Sequence, residues 1–264
     1  MRNLIVHLAF DGTRYHGWQV QENSVTVQQT LQDAIEKVFG SRLPVTGCSR
    51  TDAGVHANDY VCNFRTASLI KCAAVARALN AHLPHDIAVT ACTEASEMFH
   101  SRYFATGKEY VYKIWNASYR DPFCRALSLY YPKRLDCALL DAAAKGFCGR
   151  HDFAAFCSSH AVSHHRPDEP ECDTVRTIFD AGVDRKGNTV EFRVHGDGFL
   201  YNMVRIMTGT LLFVAQGKIT CDGIKKVIES CDRSMAGPTA PAQGLYLNRV
   251  FYTPPAVEQD AVRS

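Results

Sequence analysis

The sequence contains no apolar run long enough to cross a membrane, since no stretch approaches the ~18–20 residues that a transmembrane helix needs. The first six residues carry one basic residue, Arg2, but no apolar segment of the length found in signal peptides. The sequence therefore predicts a cytoplasmic protein that does not enter a membrane.

The sequence also lacks a Cys-x-x-Cys pair, although it holds 11 cysteines. Because their number is odd and their positions are scattered, we expect reduced thiols in a reducing compartment. The ligand spacing of a zinc site is missing, so no metal is predicted. Gly196 and Gly198 form a Gly-x-Gly turn, but neither a third glycine nor a Lys-Ser or Lys-Thr pair follows. No cofactor is predicted.

An excess of charge is missing as well, with 29 basic and 27 acidic residues and a net charge of +2. This excludes a polybasic tail protein, and a nucleic-acid partner would require the basic residues to be concentrated on one face. The 264 residues, 46% of them hydrophobic, suffice for one large or two small domains.

Hydrophobic periodicity predicts the same mixture of strands and helices in both halves of the chain. In the first half, a Thr26-x-x-Gln29 capping box opens a helix that Gly40 ends. The first half is predicted to have strands at 4–10, 45–48, 60–64 and 87–93, with helices at 27–39 and 69–83. The second half is predicted to have strands at 108–115, 175–183, 189–195 and 245–252, with helices at 136–147, 200–214 and 222–229.

Two halves of similar content predict an α+β fold with two related domains, 1–105 and 106–253, that meet at a cleft. Residues 158–173 hold His160, His164 and His165 without periodicity, so we expect an exposed loop rather than a metal site. The tail at 254–264 is predicted to be disordered.

The most informative segment runs from Cys48 to Ala57, between two predicted strands. In an extended backbone, Arg50 and Asp52 point to the same side and Thr51 to the other. Gly54 allows a sharp turn or a close approach to a substrate. This arrangement suits a catalytic carboxylate, and it also fits a surface ion pair in a turn.

Two further segments carry side chains suited to RNA. Lys108, Tyr110 and Tyr112 share one face of a predicted strand, where Tyr110 is either a base-stacking ring or a sheet-face tyrosine. Arg205 lies at the edge of a helix stripe and is predicted to share a face with Tyr201. It is either a flanking residue or the inward partner of a carboxylate.

Taken together, these segments resemble the TruA family of tRNA pseudouridine synthases. The resemblance is carried in order by residues 8–19, Val27-Gln28-Gln29-x-Leu31, Ser49-Arg50-Thr51-Asp52-Ala53-Gly54-Val55-His56-Ala57, Lys108-x-Tyr110-x-Tyr112, residues 199–205 and Ala242-x-Gly244-Leu245. It spans residues 4–252, and only 158–173 does not fit the family pattern.

The resemblance implies a fold and a set of roles. The fold would be two ferredoxin-like subdomains with mainly antiparallel sheets around a central active-site cleft, assembled as a homodimer. Asp52 would be the nucleophile, Arg50 would assist extrusion of the nucleotide, Tyr110 would stack on the uracil and Arg205 would pair with Asp52. Thr51, His56 and Leu245 would be further substrate-binding residues. The partner would be the anticodon stem-loop of tRNA, modified at positions 38 to 40.

The implied reaction suits these residue types. It breaks the bond between C1′ and N1, rotates the uracil and rejoins it through C5, so it needs no redox cofactor, metal or ATP. Asp52 must be ionised, and a guanidinium within ~4–6 Å lowers the pKa of a buried carboxyl group. Attack on C1′ and removal of the 2′ proton both remain open, as does the base that takes the C5 proton, for which Tyr110 is a candidate.

Two other functions compete with this interpretation. A non-catalytic RNA-binding protein of ferredoxin-like type would need an aromatic RNP1-like strand, which the sequence lacks. A carboxylate-dependent glycosidase would need a second acid about 5–9.5 Å from Asp52, and Asp11, Asp59 and Glu109 are weak candidates.

Overall fold

The computed structural model describes residues 1–158 and 173–253. The predicted loop at 158–173, apart from its two end residues, and the predicted tail at 254–264 lie outside the described residues. Close contacts divide the chain into two compact units, one formed by residues 1–107 and 246–253 and the other by Lys108–Leu245.

The first unit is built on a sheet in which β1 (Arg2–Phe10) is central. It pairs antiparallel with β3 (His56–Thr66) on one side and with β4 (Ile87–Ala95) on the other. The far side of β3 is shared by two strands, β2 (Val45–Gly47) antiparallel and β10 (Leu245–Tyr252) parallel. The order is therefore β4-β1-β3, followed by β2 and β10 at different levels of β3.

Two helices pack in the first unit. Helix α1 (Val27–Phe39) begins as predicted, because the Thr26 hydroxyl accepts the Gln29 N–H, and it ends at Gly40 in the left-handed conformation. Helix α2 (Cys72–Asn80) is shorter than the helix predicted at 69–83. The Arg2 guanidinium binds the carbonyl oxygens of Ser68 and Ile70, each at 2.9 Å, and so holds the preceding segment out of the helix.

In the second unit, four strands follow the order β5-β9-β8-β7, with neighbouring strands antiparallel. Its strands are β5 (Ala105–Trp115), β6 (Leu129–Tyr130), β7 (Gly149–Asp152), β8 (Val175–Lys186) and β9 (Thr189–Gly196). Strand β6 adds to β5 in parallel. Strands β8 and β9 lie where strands were predicted, and both are longer than predicted.

The described part of the second unit contains the helices α3 (Cys137–Lys145), α4 (Met203–Ala215) and α5 (Gly223–Ser230). Helix α4 starts later than predicted because Asn202 adopts a left-handed conformation with φ 62°. Tyr201 therefore lies before the helix, and the predicted helix face shared by Tyr201 and Arg205 is wrong.

The described chain is thus a mixed fold of helices and mostly antiparallel strands, in agreement with the predicted α+β class. Strand β10 is grouped with the first unit from Tyr246 onwards, whereas the sequence assigned it to the second half. The grouping follows from its pairing with His56 and Ala57 of β3 and from a hydrogen bond of 2.7 Å from the Tyr252 hydroxyl to the Ser101 oxygen. Within residues 1–158 and 173–253, no helix is both long and apolar enough to cross a bilayer.

Candidate active site

The segment that carries Asp52 is a loop joining β2 to β3. Its start is tied to β3, because the Cys48 N–H donates to the Val61 oxygen at 2.9 Å and the Tyr60 hydroxyl donates to the Ser49 oxygen. At its end, the Val55 N–H donates to the Asp52 oxygen at 3.2 Å and closes a tight turn. Strand β3 then begins at His56, four residues before the predicted start.

The turn after Asp52 needs glycine at its third position. Gly54 has a φ of 76°, a conformation that residues with a Cβ rarely adopt and that a type II turn requires. The turn is also fixed from outside, since the Gly54 N–H donates to the Tyr15 oxygen at 3.1 Å. A second outside bond runs from the Trp18 N–H to the Thr51 oxygen at 3.2 Å. Asp52 therefore lies between two anchored peptide groups.

Two more glycines bring the segment after β1 against this loop. A methyl group added at Gly12 would overlap the Val55 oxygen, and one added at Gly17 would overlap the Thr51 oxygen. Gly17 also has a φ of 85°. Residues 11–18 therefore support the loop around Asp52. The sequence did not reveal this structural role.

The side chains on the loop differ in exposure. Arg50 is exposed and Asp52 is half-buried. The Thr51 hydroxyl oxygen is buried and has no hydrogen-bond partner among residues 1–158 and 173–253. Arg50 and Thr51 keep their predicted roles as substrate-binding residues, and both roles stay predictions.

His56 is almost fully buried, with 1% of its surface exposed. Its Nδ1 lies 3.0 Å from the Gly12 nitrogen and 3.1 Å from an Asp11 oxygen. One nitrogen cannot both accept from Gly12 and donate to Asp11, and a buried backbone N–H needs an acceptor. We therefore assign the lone pair to Nδ1. The ring stacks on Tyr246 with centroids 4.7 Å apart, so His56 has a clear packing role beside its predicted contact with substrate.

Tyr110 lies on β5 in the second unit, opposite Val194 of β9. It is 7% exposed, and its ring meets Phe199 edge to face with centroids 5.0 Å apart. Such a contact fixes the plane of the Tyr110 ring. The sequence identified Phe199 only as part of a resemblance and not as the residue that orients Tyr110.

Arg205 lies in the first turn of α4 and is half-buried. Its Nε donates to the Ala240 oxygen and its Nη1 donates to the Asn202 side-chain oxygen, both at 2.7 Å. In return, the Ala240 N–H donates to the Arg205 backbone oxygen at 3.1 Å. The guanidinium is therefore held in a defined position, as an inward functional arginine would be, rather than lying loosely along the helix.

Tyr112, which the sequence did not single out as a site residue, supports the same segment. Its hydroxyl donates to the Pro241 oxygen at 2.7 Å, and a methyl group at Gly244 would overlap its ring. Burial raises the pKa of Tyr112, and the nearby charge of Arg205 opposes part of that effect. Leu245 follows this segment, opens β10 and is 6% exposed.

Comparison with known proteins decides the family. Residues 7–104 and 143–253 match the family model described as tRNA pseudouridine synthase. The chain belongs to the tRNA pseudouridine synthase family. The resemblance seen in the sequence is thereby confirmed.

Relatives match this member of the family over nearly its whole length. It is 44% identical to proteins named tRNA pseudouridine synthase A from Clostridium kluyveri and Acetivibrio thermocellus, over 96% of this chain and 100% of each relative. It is 43% identical to tRNA pseudouridine synthase A 2 of Clostridium perfringens, with the same coverage. Pseudouridine synthases are isomerases, so the prediction of an isomerase of tRNA uridine is confirmed and the non-catalytic alternative is not favoured.

The predicted site residues of this tRNA pseudouridine synthase fall into two groups. Arg50, Thr51, Asp52 and His56 lie together on one loop and the strand after it, in the first unit. Tyr110, Arg205 and Leu245 belong to the second unit. The predicted pairing of Arg205 with Asp52 joins residues of different units and stays a prediction. Among the described residues, no group of three or more His, Cys, Asp or Glu side chains is arranged to hold a metal ion.

Proposed function

We propose that this chain isomerises uridine to pseudouridine in the anticodon arm of tRNA, at positions 38 to 40, with Asp52 as the nucleophile. The observation that carries the proposal is the anchoring of the Asp52 loop. Peptide groups on both sides of Asp52 are hydrogen-bonded, at Thr51 to Trp18 and at Gly54 to Tyr15. A nucleophile held on a supported loop meets the demand that catalysis makes on geometry.

Arg205 is proposed to keep Asp52 ionised. A guanidinium has five N–H donors, and those on Nε and Nη1 that bind Ala240 and Asn202 fix its plane. Because the group is always charged, its charge lowers the pKa of a nearby carboxyl group and favours the anion that attacks.

The roles of Tyr110 and Arg50 follow from their residue types and their surroundings. Tyr110 has an oriented ring suited to stacking on uracil, and Arg50 has an exposed guanidinium suited to filling the space that the nucleotide leaves.

The remaining site residues are proposed to contact the RNA around the target nucleotide. The buried Thr51 hydroxyl needs an acceptor or donor, and a substrate group meets that need. His56 and Leu245 are both well buried, at 1% and 6% exposure, so their contacts would involve the edges of these side chains.

The fold is proposed to consist of two ferredoxin-like subdomains around an active-site cleft. In the first unit, the order β4-β1-β3-β2 with α1 and α2 between the strands is the β-α-β-β-α-β arrangement. The second subdomain, the cleft and the assembly as a homodimer rest on the family resemblance. So does a cytoplasmic location, which is where a tRNA substrate is met.

The test compares Asp52→Asn with Asp59→Asn. Both substitutions remove a carboxylate from the first unit, but Asp59 pairs with His7 at 2.7 Å and has no proposed role in uridine isomerisation. Purified variants are mixed with unmodified tRNA, and pseudouridine is mapped at each uridine. We expect no product with Asp52→Asn, full activity with Asp59→Asn and tRNA affinities within about tenfold of the parent protein.

Measurable turnover by Asp52→Asn would remove Asp52 from the central role. Product at uridines outside the anticodon arm would contradict the proposed substrate site while leaving the nucleophile in place. Free uracil in place of pseudouridine would favour the glycosidase interpretation.

A further inference from the structure

Two half-buried cysteines of the first unit, Cys72 and Cys92, lie on elements that pack against each other. Helix α2 is fixed on β4 because the Asn80 side chain donates to the Val89 oxygen at 2.8 Å and accepts from the Val89 N–H at 2.7 Å. Cys72 lies eight residues before Asn80 in α2, which is about 12 Å along the helix axis. Cys92 lies three strand residues ahead, or about 10 Å. Because α2 and β4 run in opposite directions, Cys72 and Cys92 lie on the same side of the Asn80–Val89 contact and at a similar distance from it.

Arg2 shows that the two side chains face each other. Its Nε donates to a Glu94 oxygen at 2.8 Å, and its Nη2 lies 3.7 Å from the Cys72 sulfur. Glu94 and Cys92 are two residues apart on β4 and therefore point to the same side. A guanidinium that reaches from Glu94 to Cys72 thus passes beside Cys92. Its charge acts on both sulfurs, and the two thiols lie near enough to influence each other electrostatically.

We propose that Cys72 and Cys92 form a dithiol modification site that closes into a disulfide by exchange with a low-molecular-weight disulfide. Neither cysteine is among the predicted catalytic residues, and the proposal does not depend on the proposed function.

The exchange runs in two steps through a mixed disulfide. The Cys72 sulfur, as a thiolate, attacks one sulfur of the small disulfide, forms a mixed disulfide and releases one small thiolate. The Cys92 sulfur then loses its proton and attacks the Cys72 sulfur, which closes the Cys72–Cys92 bond and releases the second small thiolate. The two protons from the cysteines end on the two small thiols, and the two electrons reduce the small disulfide.

The surroundings assign the order of attack. Cys72 is the first residue of α2, and its sulfur faces the Arg2 guanidinium, whose Nη2 lies 3.7 Å away. Burial raises the pKa of Cys92 to about 12, and the adjacent Cys72 adds to the effect. Cys92 therefore waits as a thiol until Cys72 has reacted.

The chain supplies a matched control in the second unit. Cys137 opens α3 as Cys72 opens α2, and it is also half-buried. In the part of the chain that the structure describes, no hydrogen bond joins the Cys137 sulfur to a second thiol. If any cysteine at the start of a helix reacted with a small disulfide, both Cys72 and Cys137 would be labelled. A dithiol site would form an intramolecular disulfide only through Cys72.

The test uses the full chain, equilibrated under native conditions with mixtures of oxidised and reduced glutathione. Remaining thiols are blocked, and the protein is digested with trypsin without reduction. Cleavage after Lys71, Arg77 and Arg102 places Cys72 in the peptide 72–77 and Cys92 in the peptide 78–102, each with one cysteine. Cys137 falls in the peptide 135–145. We expect the linked pair 72–77 with 78–102 to be the main intramolecular disulfide.

Three variants make the outcome decisive. Cys92→Ser should accumulate glutathione on Cys72, Cys72→Ser should leave Cys92 as a free thiol, and Cys137→Ser should pair as the parent does. The preference for the pair should vanish in guanidinium chloride, where the fold no longer aligns α2 with β4. The proposal is overturned if Cys72 and Cys92 stay separate at mixtures that modify Cys137. Equal glutathione labelling of Cys72 and Cys137 in Cys92→Ser would also overturn it.

Discussion

Arg205 and Tyr112 bind consecutive carbonyl oxygens of one segment. The Arg205 Nε donates to the Ala240 oxygen and the Tyr112 hydroxyl donates to the Pro241 oxygen, both at 2.7 Å. The same segment is tied to α4 a second time, because the Gly237 N–H donates to the Thr210 hydroxyl at 2.9 Å. The position of the Arg205 guanidinium therefore depends on a strand residue as well as on its own helix.

Tyr112→Phe should weaken this support without removing any charge. The Pro241 oxygen, which is part-buried, loses this donor, so we expect the free energy of unfolding to fall by about 0.5–1.5 kcal/mol. We also expect a lower kcat for pseudouridine formation, because the segment that holds Arg205 is loosened. Tyr130→Phe is the control, since its hydroxyl binds the Ser118 oxygen at 3.2 Å on the surface. Urea unfolding and kinetics that do not separate the two variants would argue against the linkage.

Arg205→Lys keeps the charge but not the planar group that binds two acceptors. Lysine cannot reproduce the bonds to Ala240 and Asn202, so we expect activity to fall roughly tenfold to a hundredfold. Arg42→Lys, on the surface beside Asp33 and Glu36, should leave activity unchanged.

The same variant tests the predicted pairing with Asp52. If Arg205 and Asp52 interact, the unfolding free energies of Arg205→Lys and Asp52→Asn should fail to add by more than about 0.5 kcal/mol in the double variant. Additive effects would leave the two residues independent and would contradict the pairing.

Elements with strong local signals could be predicted from the sequence. Thr26 and Gly40 mark the two ends of α1, and the turn at Gly187 marks the hairpin of β8 and β9, because caps and tight turns depend on a few adjacent residues. Helix α2 was predicted too long because its start depends on Arg2, about seventy positions away. Tertiary contacts of that kind leave no local pattern.

Some features of the candidate site could likewise be predicted from the sequence, and others could not. The loop around Asp52 could be found because its residue types are unusual and adjacent. Its support could not, since Gly12 and Gly17 act by allowing backbone from a distant segment to approach, and glycine is common in turns that support nothing. Tyr112 was visible as one of two strand tyrosines, but only its contact with the Pro241 oxygen shows what it does.

Gly17→Ala and Gly40→Ala should separate backbone strain from loss of the loop. Both glycines have a positive φ, 85° and 74°, so backbone strain alone should lower the stability of each variant by about 1 kcal/mol. Only at Gly17 does the new methyl group meet a neighbour, the Thr51 oxygen, whereas nothing lies within 4 Å at Gly40. We expect Gly17→Ala to lose more than about 2 kcal/mol and most of its activity, and Gly40→Ala to stay active. Equal activity in the two variants would refute the supporting role of Gly17.

The last prediction concerns alkaline pH. Burial raises the pKa of Tyr15, Tyr112 and Tyr252 above the usual value for tyrosine. Above pH about 10 the unfolded chain loses these protons while the native chain keeps them. The unfolded state then binds fewer protons, so the free energy of unfolding is undiminished below pH about 10 and falls as the pH rises further.

Over the same pH series, tyrosinate absorbance measures the ionisation of the tyrosines, and urea unfolding measures the free energy of unfolding. The native protein should ionise fewer of its 11 tyrosines at pH about 11 than the unfolded protein does. Tyr112→Phe should reduce the loss of stability between pH about 10 and 12, because one of the groups that drives it is removed. Tyr130→Phe should leave that loss unchanged, since the Tyr130 hydroxyl is bound on the surface. If all 11 tyrosines of the native protein ionise together near the ordinary pKa, the burial of these three hydroxyl groups does not control the alkaline stability of the fold.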